Sequence, residues 1–397
     1  MKTNFNEKVE RRGTDSIKWN VNGMLGMAEY ADEESIPMWV ADMDFKVPNF
    51  LIEKMEERTK EGVYGYNIPS ENYYKGILYW QKNRNNWDIK KDWIVTNTGV
   101  VSAICYSIKA FTEEGDGVVI QNPVYPPFKR AIEVNNRKIV NNKLKFDGKK
   151  YTIDFKDLEE KLKDPKNKMM ILCNPHNPVG RVWKKEELEK IVELCLKYSI
   201  TIISDEIHSD LALFNNAFTS LGTVNEKILD QLVVCTSISK TFNCAALKIA
   251  NTIIPNNVMK IKFLNEMERN WDKPTANMYG AVAIESTYTK DGEIWLEELK
   301  KYLEKNYIYM KNFIEENFKN LKCIELEGTY LGWLDLREMN LEYKEIKRKI
   351  EREAKIVIDG GEIFGEEGEG FVRINFACHE DVLKEALNRL KSTFPNE

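Results

Sequence analysis

Apolar and polar positions along this chain follow two rhythms. Residues 93–96, 117–120, 138–140, 168–173, 200–204, 232–236 and 249–254 form brief apolar runs. Most are rich in β-branched residues and bounded by turn formers, the pattern of buried strands. Around them the apolar positions recur with a helical period. In 185–198, Leu188, Ile191, Val192 and Cys195 fall at i, i+3, i+4 and i+7. Further helices are predicted from Pro48 to about residue 60, from a Ser70 cap through 80, over 100–111, and from an Asp154 cap through 162. Short strands alternating with amphipathic helices build βαβ units. The fold class is therefore α/β, with a mostly parallel sheet sandwiched by helices.

The texture changes near residue 285. A long, charged amphipathic helix over 291–317 is followed by strands at 323–326 and 331–336 and a helix at 342–354. A flexible glycine loop is expected at 360–365, a strand at 371–376 and a last helix at 380–391. This reads as a smaller α+β domain that the polar N-terminal segment joins. The expected division is a large domain over 46–284 and a small one made of 1–45 and 285–397. Residues 37–45 carry two carboxylates in an apolar, extended stretch.

Residues able to do chemistry gather just past strand ends. Lys240 follows the run 232–236, inside SISKTFN (237–243). Alone, it is most simply a solvated loop lysine, one of 58 Lys and Arg. However, Gly99, Tyr125, Asn177 and Asp205 each follow another predicted strand. Open α/β sheets bind ligands beyond the carboxyl ends of their strands. Together these residues suit one kind of cofactor. A lysine amine condenses with an aldehyde. Hydroxyls and the helix N-terminus at Val100 hold a phosphate. A buried aspartate keeps a ring nitrogen protonated, so the ring can draw off electrons. An aromatic such as Tyr125 stacks on the ring. Pyridoxal 5'-phosphate has all four parts.

Composition narrows the remaining classes. A net charge of −5 argues against nucleic-acid and anionic-membrane partners. No apolar run approaches the ~20 residues of a membrane span. Residues 1–12 are polar and lack an apolar signal core. Seven scattered cysteines without a CxxC pair imply buried thiols in a reduced, cytoplasmic setting. Three histidines without ligand spacing imply no protein metal site.

With these residues in place, the chain resembles fold-type I pyridoxal-phosphate enzymes of the class I/II aminotransferase superfamily. Within them it most resembles the cystathionine β-lyase / cysteine-S-conjugate β-lyase subgroup. The likeness runs from about residue 32 to 390. It is carried by MWVADMDF (38–45), GVYGY (62–66), NPVYPPF (122–128), CNPHNPVGRVW (173–183), SDEIH (204–208), SISKTFN (237–243), EGTYLGWL (327–334) and FVRINFA (371–377).

The resemblance implies a role for each matching residue. Lys240 is the Schiff-base lysine and then the base for the substrate α-proton. Asp205 faces the pyridine nitrogen, Asn177 the ring hydroxyl oxygen and the substrate, and Tyr125 the ring face. Gly99 and Val100 cradle the phosphate with Ser237 and Ser239, of which one is open to a purely structural role. Lys248 stands where an arginine is usual and is open between a phosphate contact and a surface lysine. Tyr66, or else Tyr64, reaches the phosphate of a neighbouring subunit, which implies a homodimer with shared sites. Arg373 clamps the substrate α-carboxylate. Trp39 lines the substrate pocket. His208 is open between a place beside the cofactor and packing. Pro126, where the subgroup often has an aromatic, and Ala246, where glycine is frequent, depart from the pattern. The implied activity is β-elimination from L-cystathionine or other L-cysteine S-conjugates, giving thiol, pyruvate and ammonia. Transamination is the alternative, and a regulatory protein-binding role the third reading.

Overall fold

The computed structural model describes residues 4–395. Seven strands form its large sheet: β1 Ile94–Asn97, β2 Gly117–Ile120, β3 Lys138–Asn141, β4 Asn167–Cys173, β5 Thr201–Asp205, β6 Leu232–Thr236 and β7 Ala250–Ile253. Their spatial order is β1-β7-β6-β5-β4-β2-β3. Strands β3, β2, β4, β5 and β6 are parallel to one another. Strand β7 runs antiparallel to both neighbours, β6 and β1. A buried apolar run shows that a strand exists but not which way it points, because direction depends on the connection before it. Strands β1, β2, β6 and β7 are buried at every position, as helix-covered strands must be.

Several helix ends fall where the caps predicted. The Ser70 hydroxyl accepts from Tyr73 N at the start of Glu71–Asn85, and Asp154 accepts from Asp157 N at the start of Phe155–Lys163. Two helices were not legible in the pattern. Asn257–Arg269 is capped by Asn256 and packs on Val100–Phe111. Met278–Thr287 (MYGAVAIEST) is apolar nearly all round and lies against Asn49–Lys60 and Glu71–Asn85. Without a polar face it gives no amphipathic rhythm.

The second sheet has four strands: β8 Lys322–Cys323, β9 Leu331–Asp335, β10 Asp359–Gly360 and β11 Phe371–Asn375, in the order β8-β9-β11-β10. Every pairing in it is antiparallel. The 28-residue helix Lys290–Asn317 and helix Glu380–Thr393 pack together beside it. Two expectations need correction. The strand expected over 323–326 is only the two-residue β8. The glycine-rich stretch 360–365 is not a flexible loop: Asp359–Gly360 pairs with β11, and Gly361–Phe364 forms a 3-10 turn. Its glycines serve close packing, since a Cβ on Gly361 would lie 2.0 Å from the Gly368 carbonyl oxygen.

The N-terminal segment is tied in early. Ile36–Pro37 pairs in parallel with Ile356–Val357. The chain then crosses the carboxyl edge of the large sheet as residues 38–45.

Candidate active site

A cavity of about 330 Å³ opens at the carboxyl ends of β4, β5 and β6. It gathers Gly99, Val100, Tyr125, Asn177, Asp205, His208, Ser237, Ser239, Lys240, Lys248 and Arg373 from across the chain. Of the residues expected at the site, only the Trp39 and Tyr66 side chains lie outside this lining.

Lys240 sits on the single helical turn Ile238–Thr241, directly after β6. Ser237 caps that turn by accepting from Ser239 N at 3.1 Å. The Lys240 amine donates to the Ala41 carbonyl at 2.6 Å. Burial, and then the charge of Arg373, push its pKa down to about 8 against the opposing pull of Asp42 and Asp205. An amine poised near neutrality exchanges protons readily.

Asp205 ends β5, flanked in register by Cys173 on β4 and Cys235 on β6. Its carboxylate accepts one backbone bond, from Ile207 N at 3.1 Å, and faces the cavity. Burial pushes it up to about 7. A carboxylate so poorly compensated needs a cation, and a protonated ring nitrogen would supply one.

Helix Val100–Phe111 points its N-terminus at the cavity. Gly99, its cap, offers no side chain, so the first amide groups have no side-chain acceptor. Gly99 N itself donates to Asn97 Oδ1 at 3.1 Å. These open amides fit an anion. A Cβ on Gly99 would meet nothing within 4 Å, so a larger side chain there has only open space to enter. We predict that Gly99→Val keeps the melting temperature but weakens pyridoxal-phosphate uptake by roughly tenfold or more, the value of one or two lost amide–anion bonds. Titration followed by cofactor absorbance checks this, and unchanged affinity would contradict the cradle.

The two serines differ. Ser237 places its hydroxyl 2.7 Å from the Ile249 carbonyl, so its one proton is committed within the protein. The Ser239 hydroxyl lies 3.0 Å from that of Ser237 and lines the cavity, where it can turn to a ligand. Lys248 is exposed at the rim, in a left-handed backbone conformation with φ 45°. Tyr125 caps helix Pro126–Val134 and is pushed up by burial and by the nearby Asp205.

Arg373 comes from β11 of the second sheet. It donates to Asn177 Oδ1 at 2.9 Å, to the Trp39 carbonyl at 3.1 Å, and to Asp359. Its guanidinium stacks over Phe364, and its buried Nε has no partner. An unsatisfied buried donor of this kind awaits an acceptor. His208 is buried with Nδ1 unpartnered and is held well below the ordinary histidine range, first by burial and then by Lys240 and Arg373. It is a neutral imidazole packed edge-on to Tyr330.

Trp39 is displaced from its expected place. Its indole packs with Met24, Ala28, Ala31 and Val357 and donates to the Lys18 carbonyl. The backbone of this stretch, rather than its tryptophan, meets the site. Tyr66 is fully exposed and outside the cavity of its own chain. Three contributors went unseen in the sequence. Tyr330 donates to the Ala41 carbonyl at 2.8 Å. Asn375 donates to the Val40 and Asp42 carbonyls, each at 2.6 Å. Asn243 holds the Met43 and Phe45 carbonyls. The signal was present, since all three lie inside the quoted motifs. A second cavity, about 390 Å³, lies between the N-terminal segment and helix Glu380–Thr393. Lys8 there already pairs with Asp381, and Arg389 with Glu385.

A lysine, an aspartate and an anion cradle at the open edge of a parallel sheet, faced by an arginine from a second sheet, define a cofactor-dependent amino-acid enzyme of the aminotransferase type. The family model for aminotransferase class I and II matches residues 17–390, and the chain belongs to that family. It is 39% identical to cystathionine beta-lyase PatB of Bacillus subtilis, over 98% of this chain and 99% of that one. It is 31% identical to protein MalY of Escherichia coli, over 96% of each. Among solved structures, cystalysin from Treponema denticola, which contains pyridoxal 5'-phosphate, superposes with a TM-score of 0.95 at 39% identity over the full length of both chains. A pyridoxal-phosphate-bound C-S lyase from Staphylococcus hominis gives 0.91 at 30% identity, covering 99% of this chain and 98% of that one.

Proposed function

We propose that this protein is a pyridoxal-phosphate-dependent carbon–sulfur β-lyase acting on L-cystathionine or related L-cysteine S-conjugates. The observation that carries the reading is the convergence of Lys240, Asp205, Asn177 and Arg373 on one cavity. The likeness along the whole chain to cystathionine beta-lyase PatB and to the Staphylococcus hominis C-S lyase supports elimination over other fates.

The residues fit the cofactor. The open helix amides at Val100, with Ser239 and Lys248, would hold its phosphate. Asp205 would meet its ring nitrogen, Asn177 its ring hydroxyl oxygen and Tyr125 its face. When bound, the cofactor supplies an aldehyde for amine capture and a conjugated ring that delocalises negative charge from the substrate α-carbon. Asp205, ionised opposite a cation, keeps that ring electron-poor. Arg373, already held by Asn177 and Asp359, receives the substrate α-carboxylate. Lys240, as neutral amine, takes the α-proton. The Cβ–S bond then breaks with its electron pair on sulfur, and the Lys240 ammonium, which took the α-proton, can return it to the leaving thiolate. Hydrolysis of the remaining unsaturated amine gives pyruvate and ammonia.

The proposed division at about residues 45 and 285 puts Lys240 and Asp205 on one domain and Arg373 on the other, so a substrate would be bound across the boundary between them. Tyr66, exposed with Val63, Tyr64 and Ile68 on one loop, is proposed to complete the cofactor site of a second copy. No helix among the described residues is long and apolar enough to cross a membrane. A cytoplasmic setting, where thiol products stay reduced, belongs to the same proposal.

The test is incubation with L-cystathionine and assay of pyruvate and free thiol. Equimolar appearance of both is expected. Conversion to the pyridoxamine absorbance without pyruvate would establish transamination instead.

A further inference from the structure

Five consecutive carbonyls, from Trp39 to Met43, each accept a side-chain hydrogen bond. Arg373 holds the first, Asn375 the second, Asn375 and Lys18 the fourth, and Asn243 and Arg11 the fifth. The third, Ala41, takes two donors: the Lys240 amine at 2.6 Å and the Tyr330 hydroxyl at 2.8 Å. A carbonyl oxygen has two lone pairs, so the two donors saturate it.

We infer that Tyr330 is a positioning residue for Lys240, its hydroxyl sharing the Ala41 carbonyl on which the free lysine amine rests while it trades a proton with substrate. The inference rests on the reading of Lys240 as the base. An amine that donates one N–H to a fixed acceptor loses rotation about Cε–Nζ, so its lone pair is aimed. Tyr330 is fully buried immediately before β9, and its hydroxyl has this acceptor among the described residues. The Ala41 peptide does not depend on Tyr330 for its place, because Asn375 grips the carbonyls on either side of it. Removing the hydroxyl therefore changes the electrostatics more than the geometry.

The sign follows. A carbonyl shared with a second donor is a weaker acceptor for the lysine, and the ammonium loses more from sharing than the neutral amine does. Tyr330 thus favours the neutral, proton-accepting form. Lys240 is also faced by Arg373, which acts in the same direction, and by Asp42 and Asp205, which oppose it. The other titratable residues lining its cavity are His208, Tyr125, Cys173 and Lys248, and Tyr330 packs on His208. Both His208 and Tyr330 are uncharged at working pH, because burial holds the imidazole low and the phenol high.

Tyr330→Phe tests this with the full-length protein. In the cofactor-free chain, the pH profile of Lys240 acetylation, read by mass spectrometry on its peptide, is expected to move up by about one pH unit. That makes labelling at pH 7.5 several-fold slower than in the parent. In the loaded enzyme, the acid limb of kcat is expected to move up equally, so activity is lost at neutral pH and recovered at higher pH, with KM little changed. An unmoved Lys240 profile overturns the inference, including when the melting temperature falls, since that outcome is a merely structural tyrosine. A moved profile in a protein that makes no pyruvate in either form supports the placement of the amine and sinks only the lyase reading.

Discussion

Lys240→Ala is expected to fold, to bind pyridoxal phosphate without a covalent link, and to release pyruvate and thiol at least about 10³-fold more slowly than the parent. Two losses coincide at one atom. The amine that captures the aldehyde is gone, and so is the base that takes the α-proton. Folding is spared because Lys240 makes one hydrogen bond, to Ala41, and sits in a cavity rather than in a close-packed core. Removing a half-buried amine, held down to about 8 chiefly by burial, relieves a desolvation cost. The measurement is steady-state pyruvate release beside a thermal melt and the visible spectrum of the bound cofactor. Near-normal turnover would remove Lys240 from the chemistry altogether. A collapsed melt would show that the lysine has a structural duty that its single bond does not reveal.

The second large effect has opposite signs with and without cofactor. In the empty protein, burial raises the Asp205 pKa from the ordinary carboxylate value of 3.8 to about 7. The native state then keeps a proton that the unfolded chain has released. Stability is therefore fully present below about pH 4 and is lost as pH rises to about 7, by on the order of 4 kcal/mol. Asp205→Asn removes that fall, so the empty variant should melt above the parent at pH 8 and match it more closely at pH 4. Loaded protein should behave in the opposite way. Without a carboxylate opposite the ring nitrogen, elimination should drop roughly 10²- to 10³-fold. A variant that is less stable than the parent at pH 8 without cofactor would mean that Asp205 has a compensating partner in the folded chain.

Much of this site could be read from residue order because its chemistry depends on side chains at strand ends. Lys240, Asp205, Asn177 and Gly99 each follow a short apolar run, and the run itself announces the edge of the sheet. Arg373, in the middle of β11, has no such signal and was placed only by the family resemblance of FVRINFA (371–377). What stayed hidden depends on the backbone. The stretch 38–45 drew attention to Trp39, its largest side chain, whereas its carbonyls do the holding. No pattern of side chains announces which main-chain oxygens will be taken, because every residue carries one. Tyr330, Asn375 and Asn243 were overlooked for the same reason, since each acts on a distant peptide rather than on a cofactor. The direction of β7 was lost because it is set by the connection before the strand, and the nearly all-apolar helix Met278–Thr287 because the lack of a polar face erases its rhythm.

The run of gripped carbonyls also sets when in its life the protein can become an enzyme. Lys240 and Ala41 are 199 residues apart, Tyr330 and Ala41 are 289, and Arg373 and Asn375 reach back 334 and 335 residues. These are among the longest loops the chain can close, and such closures come late and slowly. A growing chain on the ribosome thus carries the Trp39 and Val40 carbonyls without their side-chain donors until its last strand has emerged. A translation product cut short between β7 and β11 can hold the whole large sheet and still lack the donors that fix the peptide on which its lysine rests.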